Sequence, residues 1–224
     1  SLAMKAVLVA PGPDGPTLVL ADIPDPVPGP YDLLVRVRTA GVNRADLARV
    51  QQHFAAGDHD VAGLEAAGEV LAVGEAVDAF APGDRVMAMC RAGYAEKALF
   101  DARFAMRVPD GMGWEAAAAP PTWYLTAHDA PVVNGGLEAG ESVLVQAAAA
   151  GVGLAGLQVA KAMGAGTVVG VGRDPAKLAR LVAEFGLDLA IDSTREDTAA
   201  VARAATGGRG VDIVMDNVGA SALK

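Results

Sequence analysis

The chain has 224 residues, enough for one large or two small domains, and a hydrophobic content of 52% supplies ample core material. A net charge of −9 without clustered cations argues against nucleic acid or an anionic membrane as partner. No apolar run reaches the ~18 to 20 residues of a membrane span, no basic stretch leads into an apolar signal core, and Cys90, the only cysteine, excludes an internal disulfide or a cysteine-rich zinc site. The expectation is a soluble, cytoplasmic protein, and Ser1-Leu2-Ala3 reads as a remnant ahead of a native start at Met4.

The first half alternates short apolar runs with Gly, Pro and Asp clusters, the texture of an all-β domain. Strands are predicted over Lys5 to Val9, Thr17 to Leu20, Leu33 to Thr39, Glu65 to Val73, Arg85 to Met89 and Tyr94 to Leu99. Pro11-Gly12-Pro13-Asp14-Gly15 and Pro24-Asp25-Pro26 read as turns, and Ala81-Pro82-Gly83-Asp84 as a corner. A short helix, Asn43 to Val50, follows Gly41. His53, His59 and His128 share no metal-ligand spacing, so no metal site is expected. The chain turns helical from Trp114 to Asp129, and Pro120-Pro121 marks the passage to a second domain. Trp123-Tyr124 and Met87 to Met89 read as core or interface packing.

The segment Ser142 to Gly172 carries the strongest signal. Val143, Leu144 and Val145 form a buried parallel strand, Leu154, Leu157, Val159, Ala160 and Met163 give the next helix its apolar face, and a second apolar strand ends at Gly172. Between them, Ala150-Gly151-Val152-Gly153 would aim backbone N–H groups and a helix dipole at a diphosphate. Alone, such a turn is equally an ordinary tight turn; the flanking strand and helix favour a dinucleotide site.

The residue that reads the ribose is expected about 20 residues after the turn. There the chain offers Gly172-Arg173, with Lys177 one helical turn on, so NADPH is predicted over NADH. Asp174-Pro175 reads as an N-cap with a first-turn proline and not as a ribose acid. The plainer alternative makes Arg173 and Lys177 solvated helix-start charges. Beyond them, Leu178, Leu181, Val182 and Phe185 share a helix face closed by Gly186. Leu189 to Ile191 is the third strand, Asp197 to Ala205 a helix, and Val211 to Met215 the fourth strand. The chain then reaches Lys224, short of the usual six strands, which implies a fragment or a partner that completes the sheet.

Several segments in order resemble one family: Gly41-Val42-Asn43-Arg44-Ala45-Asp46, Gly63-Leu64-Glu65-Ala66-Ala67-Gly68-Glu69-Val70, Gly83-Asp84-Arg85-Val86, Gly93-Tyr94-Ala95-Glu96, Leu125-Thr126-Ala127, Gly140-Glu141-Ser142-Val143-Leu144-Val145 and Asp216-Asn217-Val218-Gly219. They are similar to the zinc-independent quinone oxidoreductase branch of the medium-chain dehydrogenase/reductase superfamily, over essentially the whole chain. The resemblance implies an α/β protein. A GroES-like β-barrel domain (residues 1–122) precedes a Rossmann doubly wound parallel sheet (residues 123–224), incomplete at its C-terminus, with the active site between them and a homodimer as the assembly.

In zinc-dependent relatives a cysteine and a histidine hold the catalytic metal at the positions of Asn43 and Leu64. Leucine offers zinc no lone pair, so the acceptor is expected to take hydride without a Lewis acid, as quinones and α,β-unsaturated carbonyls do. By resemblance Asn43 donates to the developing oxyanion, though it also suits a helix cap. Thr126 holds the nicotinamide carboxamide, unless its hydroxyl bonds back to its own helix. Phe54, where relatives often carry tyrosine, is a pocket wall. The cofactor set comprises Thr126, Ala150, Gly151, Val152, Gly153, Gly172, Arg173, Lys177, Ser193 and Asn217. Two departures stand out. Ala150 replaces the middle glycine of the phosphate turn, which is expected to weaken diphosphate binding, and Ser193 replaces a common tyrosine. The expected activity is NADPH:quinone oxidoreductase-like. The rivals are an enoyl thioester reductase and a non-catalytic NADPH-binding scaffold.

Overall fold

The computed structural model describes residues 3–56 and 60–219. The chain divides into two compact units, Ser1–Thr122 and Trp123–Lys224.

In the first unit β1 (Ala3–Gly12) and β2 (Gly15–Pro24) form an antiparallel hairpin. A five-stranded antiparallel sheet follows, in the order β6 (Lys97–Asp101), β3 (Asp32–Ala40), β4 (Glu65–Val73), β5 (Arg85–Met89), β7 (Met106–Arg107). Period-two alternation places Leu33, Val35, Val70, Val86 and Phe100 on one buried face, where they form the core of this unit. Helix α1 spans Arg44–Ala56, six residues beyond the expected end at Val50. Helix α2 covers Trp114–Ala117, and α3 covers Pro120–His128.

Three local expectations are corrected. The hairpin turn is confined to Pro13-Asp14, because Pro11 and Gly12 pair with Pro16 and Gly15. Pro24 likewise belongs to a strand, paired with Ala3. The run Tyr94 to Leu99 is not one strand, because it changes partner part-way. Val7 donates to the Tyr94 carbonyl, Ala95 bridges Ala6, and from Lys97 onward the ladder runs against β3.

The second unit opens on a π-helical turn, Asp129–Asn134, and builds a four-stranded parallel sheet in the order β10 (Leu189–Asp192), β9 (Thr167–Gly172), β8 (Ser142–Val145), β11 (Ile213–Met215). Its crossovers are α4 (Gly151–Ala162), α5 (Pro175–Phe185) and α6 (Thr198–Ala205). All four residues of β8 are buried, as a central parallel strand requires. Asp212 sets the register of β11, its carboxylate accepting from Ser142 N at 2.8 Å and Ser142 Oγ at 2.6 Å. Asp174 caps α5 by accepting from Ala176 N and Lys177 N, and Gly186 ends it at φ +64°. Asp197 caps α6 through Ala200 N.

Phe100 is wholly buried, whereas Leu20 is 68% exposed. Phe100→Ala is therefore expected to cost about 3 to 5 kcal/mol and Leu20→Ala within about 0.5 kcal/mol, read from the midpoints of urea unfolding curves.

Candidate active site

In a parallel sheet with helical crossovers, ligands meet the carboxyl ends of the strands. The structure brings most of the expected cofactor residues of the second unit to that edge. The turn after β8 leads through Ala150 into Gly151, Val152 and Gly153, the first turn of α4. β9 ends at Gly172-Arg173, with Lys177 on α5. Ser193 follows β10 and Asn217 follows β11.

Alone among the three crossover helices, α4 has no side-chain cap at its N-terminus. Its first backbone bond is Leu154 N to Ala150 O at 2.7 Å, so the N–H groups of Gly151, Val152 and Gly153 precede the helical ladder. The turn is compact because α4 presses against it. A Cβ on Gly153 would lie 2.3 Å from the Ala147 carbonyl oxygen, and one on Gly151 would enter the Trp123 indole. Ala147 adopts φ +49°, the only described non-glycine residue in that region, which stores on the order of 1 to 3 kcal/mol of strain. Ala150 by contrast has φ −85° and ψ 163°, ordinary extended backbone, so its methyl group costs no strain there.

Arg173 is exposed and makes no ion pair among the described residues. The Asp174 carboxylate is occupied by its cap, and its contact with Lys177 Nζ is a loose 4.0 Å. Ser193 donates through Oγ to the Gly172 carbonyl at 3.1 Å, and Asn217 donates through Nδ2 to Gln146 O at 3.1 Å. These two side chains tie the strand ends together. Thr126 is exposed on α3.

In the first unit, Asn43 stands just before α1 and is buried. Its N–H donates to Asp46 Oδ2 at 2.8 Å, so the box at this helix start is closed by Asp46. Its Nδ2 donates to Glu65 Oε1 at 2.6 Å. Glu65 Oε2 accepts from Thr122 N at 2.7 Å, and Asp46 Oδ2 also accepts from the Tyr94 hydroxyl at 3.1 Å. Burial, then the neighbouring Asp46, push the Tyr94 phenol above its ordinary range. Glu65, Asp46 and Tyr94 were not among the expected site residues. The available signal was a carboxylate, Glu65, leading directly into the apolar run Ala66-Ala67-Gly68 of a strand. The side chain of Phe54 and residue His59 lie outside the described residues. Among the described residues no cluster of three His, Cys, Asp or Glu side chains could hold a metal ion, and no helix is long and apolar enough to cross a membrane.

Two family models match: an alcohol dehydrogenase GroES-like domain at residues 29–129 and a zinc-binding dehydrogenase at residues 151–224. The chain is similar to a quinone oxidoreductase of Pseudomonas syringae pv. tomato, at 30% identity and a TM-score of 0.86, covering 99% of this chain and 68% of that one. A mycobacterial quinone oxidoreductase matches at 35% identity and a TM-score of 0.84, covering 97% and 68%. In sequence, the chain is 45% identical over 190 residues to an erythronolide synthase of Saccharopolyspora erythraea. That match covers 84% of this chain but only 5% of the synthase. The chain therefore belongs to the medium-chain dehydrogenase/reductase superfamily and, within it, to the quinone oxidoreductase type. The family binds nicotinamide cofactors, NAD or NADP.

Cys90 lies beside this network, its N–H donating to Leu64 O. Burial pushes its thiol up to about 12, with Glu65 adding to the rise and the Ala92 N–H opposing it. At pH 8 this half-buried thiol is then far less ionised than a free one. Iodoacetamide should label the native protein much more slowly at pH 8 than the protein in denaturant; equal rates would show that the thiol is not held protonated by its surroundings.

Proposed function

We propose that the chain is an NADPH-dependent reductase that passes hydride to a quinone or α,β-unsaturated carbonyl without a metal. The observation that carries this reading is the uncapped start of α4 together with Arg173, a cation at the end of β9 that makes no ion pair among the described residues, within a family that binds nicotinamide cofactors. The N–H groups of Gly151, Val152 and Gly153 would hold the diphosphate, and the Arg173 guanidinium the 2′-phosphate. Asp174 turns Oδ1 to the start of α5 and makes no ion pair with Arg173 among the described residues.

When bound, the reduced nicotinamide supplies two electrons as hydride. As hydride reaches the β-carbon of an enone, the C=C pair shifts and negative charge collects on the carbonyl oxygen. Asn43 is assigned to stabilise that charge, a role worth on the order of 100-fold in rate, and water returns the proton to the α-carbon. The metal-free assignment rests on Asn43 and half-buried Leu64 standing where zinc-dependent relatives place their ligands. Thr126 would anchor the carboxamide.

A second reading, reduction of an enoyl thioester, is supported by the likeness to a stretch of a polyketide-building synthase. Its electron flow is the same, since a thioester carbonyl conjugated to C=C receives the charge. A panel of quinones, enones and enoyl thioesters separates the two by kcat/KM.

Trp123 packs against Gly151, so its fluorescence should report cofactor binding; Trp114→Phe leaves it the only indole. Arg173→Ala is expected to weaken NADPH on the order of tenfold to a hundredfold and to leave NADH unchanged. Turnover should persist in EDTA. An unaltered NADPH preference in Arg173→Ala would remove the 2′-phosphate assignment, and loss of turnover on chelation would remove the metal-free one.

A further inference from the structure

Glu65 opens β4 at 1% exposure, followed by three more buried residues, so the strand offers its carboxylate no water. Such a group persists only where donors meet its oxygens, and here each oxygen has one: Asn43 Nδ2 on Oε1 at 2.6 Å and Thr122 N on Oε2 at 2.7 Å. Neither donor is incidental. Pro120 and Pro121 have no N–H, which makes that of Thr122 the first donor α3 possesses, at the positive end of its dipole. Gly41 has no side chain where one would collide with the carboxylate, a Cβ there falling 2.1 Å from Oε1.

Building on the reading that Asn43 meets the acceptor, we propose that Glu65 is a positioning residue that fixes which end of the Asn43 amide faces the substrate. The two ends of an amide are alike in size and opposite in chemistry, so only a partner's hydrogen-bonding character tells them apart. A carboxylate accepts and does not donate, so the amide nitrogen is held on the Glu65 side; that same nitrogen end, which carries two hydrogens, is the one assigned to the acceptor, and Oδ1 is turned from both. The Asn43 main chain is held independently by Asp46, which in turn takes the Tyr94 hydroxyl. Both the place and the sense of the amide are thereby set before any ligand arrives, which is the preorganisation an oxyanion contact needs.

Glutamine at position 65 keeps the shape and changes this logic. Its single oxygen can satisfy Thr122 while its nitrogen faces Asn43, so the Asn43 amide reverses to present Oδ1. The chain contains three asparagines, Asn43, Asn134 and Asn217, so side-chain amide NMR on protein labelled with 15N-asparagine is readily assigned with Asn134→Asp and Asn217→Asp. In the native protein one Asn43 amide proton should be shifted downfield and protected from exchange. In Glu65→Gln that proton should exchange at least tenfold faster, while the NADPH Kd stays within about twofold. On an enone, kcat should fall about tenfold or more with KM little changed. An unprotected Asn43 amide in the native protein overturns the proposal, and this holds even should Glu65→Gln fail to fold. A folded Glu65→Gln protein with Asn43 signals and kcat unchanged also overturns it. Failure of the oxidoreductase reading is separate: it would appear as absent turnover in the native protein with the amide still protected.

Discussion

A buried carboxylate sets the terms for the first unit. Leaving Glu65 without a partner would cost about 3 to 5 kcal/mol, so the surrounding chain is arranged to supply donors. Asn43 gives one from the entry to α1 and Thr122 another from the start of α3, two segments far apart in sequence that meet on the first residue of β4. Gly41 is glycine for the same reason, since a methyl group would occupy the space of Oε1. Asp46, buried beside this group, is met in the same way by the Asn43 N–H and the Tyr94 hydroxyl. The polar network is thus held together by hydrogen bonds inside an apolar sheet, where a low dielectric strengthens satisfied bonds and penalises missing ones.

The second unit solves the opposite problem. Two of its helices close their N-termini with their own aspartates, and the third leaves its N–H groups to the edge of the sheet. An aspartate at position 150 would cap α4 well but would set a negative charge beside the N–H groups proposed to hold a diphosphate. Alanine avoids that repulsion and fits the extended backbone found there. The methyl group bears on how closely a diphosphate approaches, while the helix start keeps its conformation. Strain in this turn sits three residues earlier, at Ala147, where φ is positive and the carbonyl meets Gly153. Tight packing of α4 against the strand end fixes that conformation, and with it the direction of the N–H groups.

Much of the second unit was legible in sequence because its signals are local. Asp174-Pro175 and Gly186 bracket α5 in a few residues, and an unbroken apolar run marks β8. The first unit is less legible because its strands are defined by partners remote in the chain. Tyr94 to Leu99 reads as one strand by composition, yet its first residues bond to β1 and the rest pair with β3. β7, two residues long, exists only because β5 offers an edge. Asn43 was recognised through its neighbours in sequence, but its partner Glu65 lies 22 residues away and looks, without the fold, like one acidic residue in a strand.

The two units bear on function in complementary ways. The main-chain N–H groups and Arg173 proposed to hold a nucleotide would do so whatever the acceptor, so they bear on cofactor class and say little about chemistry. On the proposed reading the choice of acceptor turns on the first unit. On the proposed metal-free reading the polar group assigned to a developing oxyanion is an amide, a weaker electrophile than a metal ion, and it suits a substrate that already delocalises charge onto oxygen. A simple ketone gives its oxygen the full charge at once and needs a stronger electrophile. A quinone, an enone or an enoyl thioester spreads that charge through conjugation before the amide is called upon. On the same reading, amide orientation would matter more than in a metal enzyme. A cation attracts an oxyanion from any side, whereas a reversed carboxamide presents a lone pair to it and turns stabilisation into repulsion.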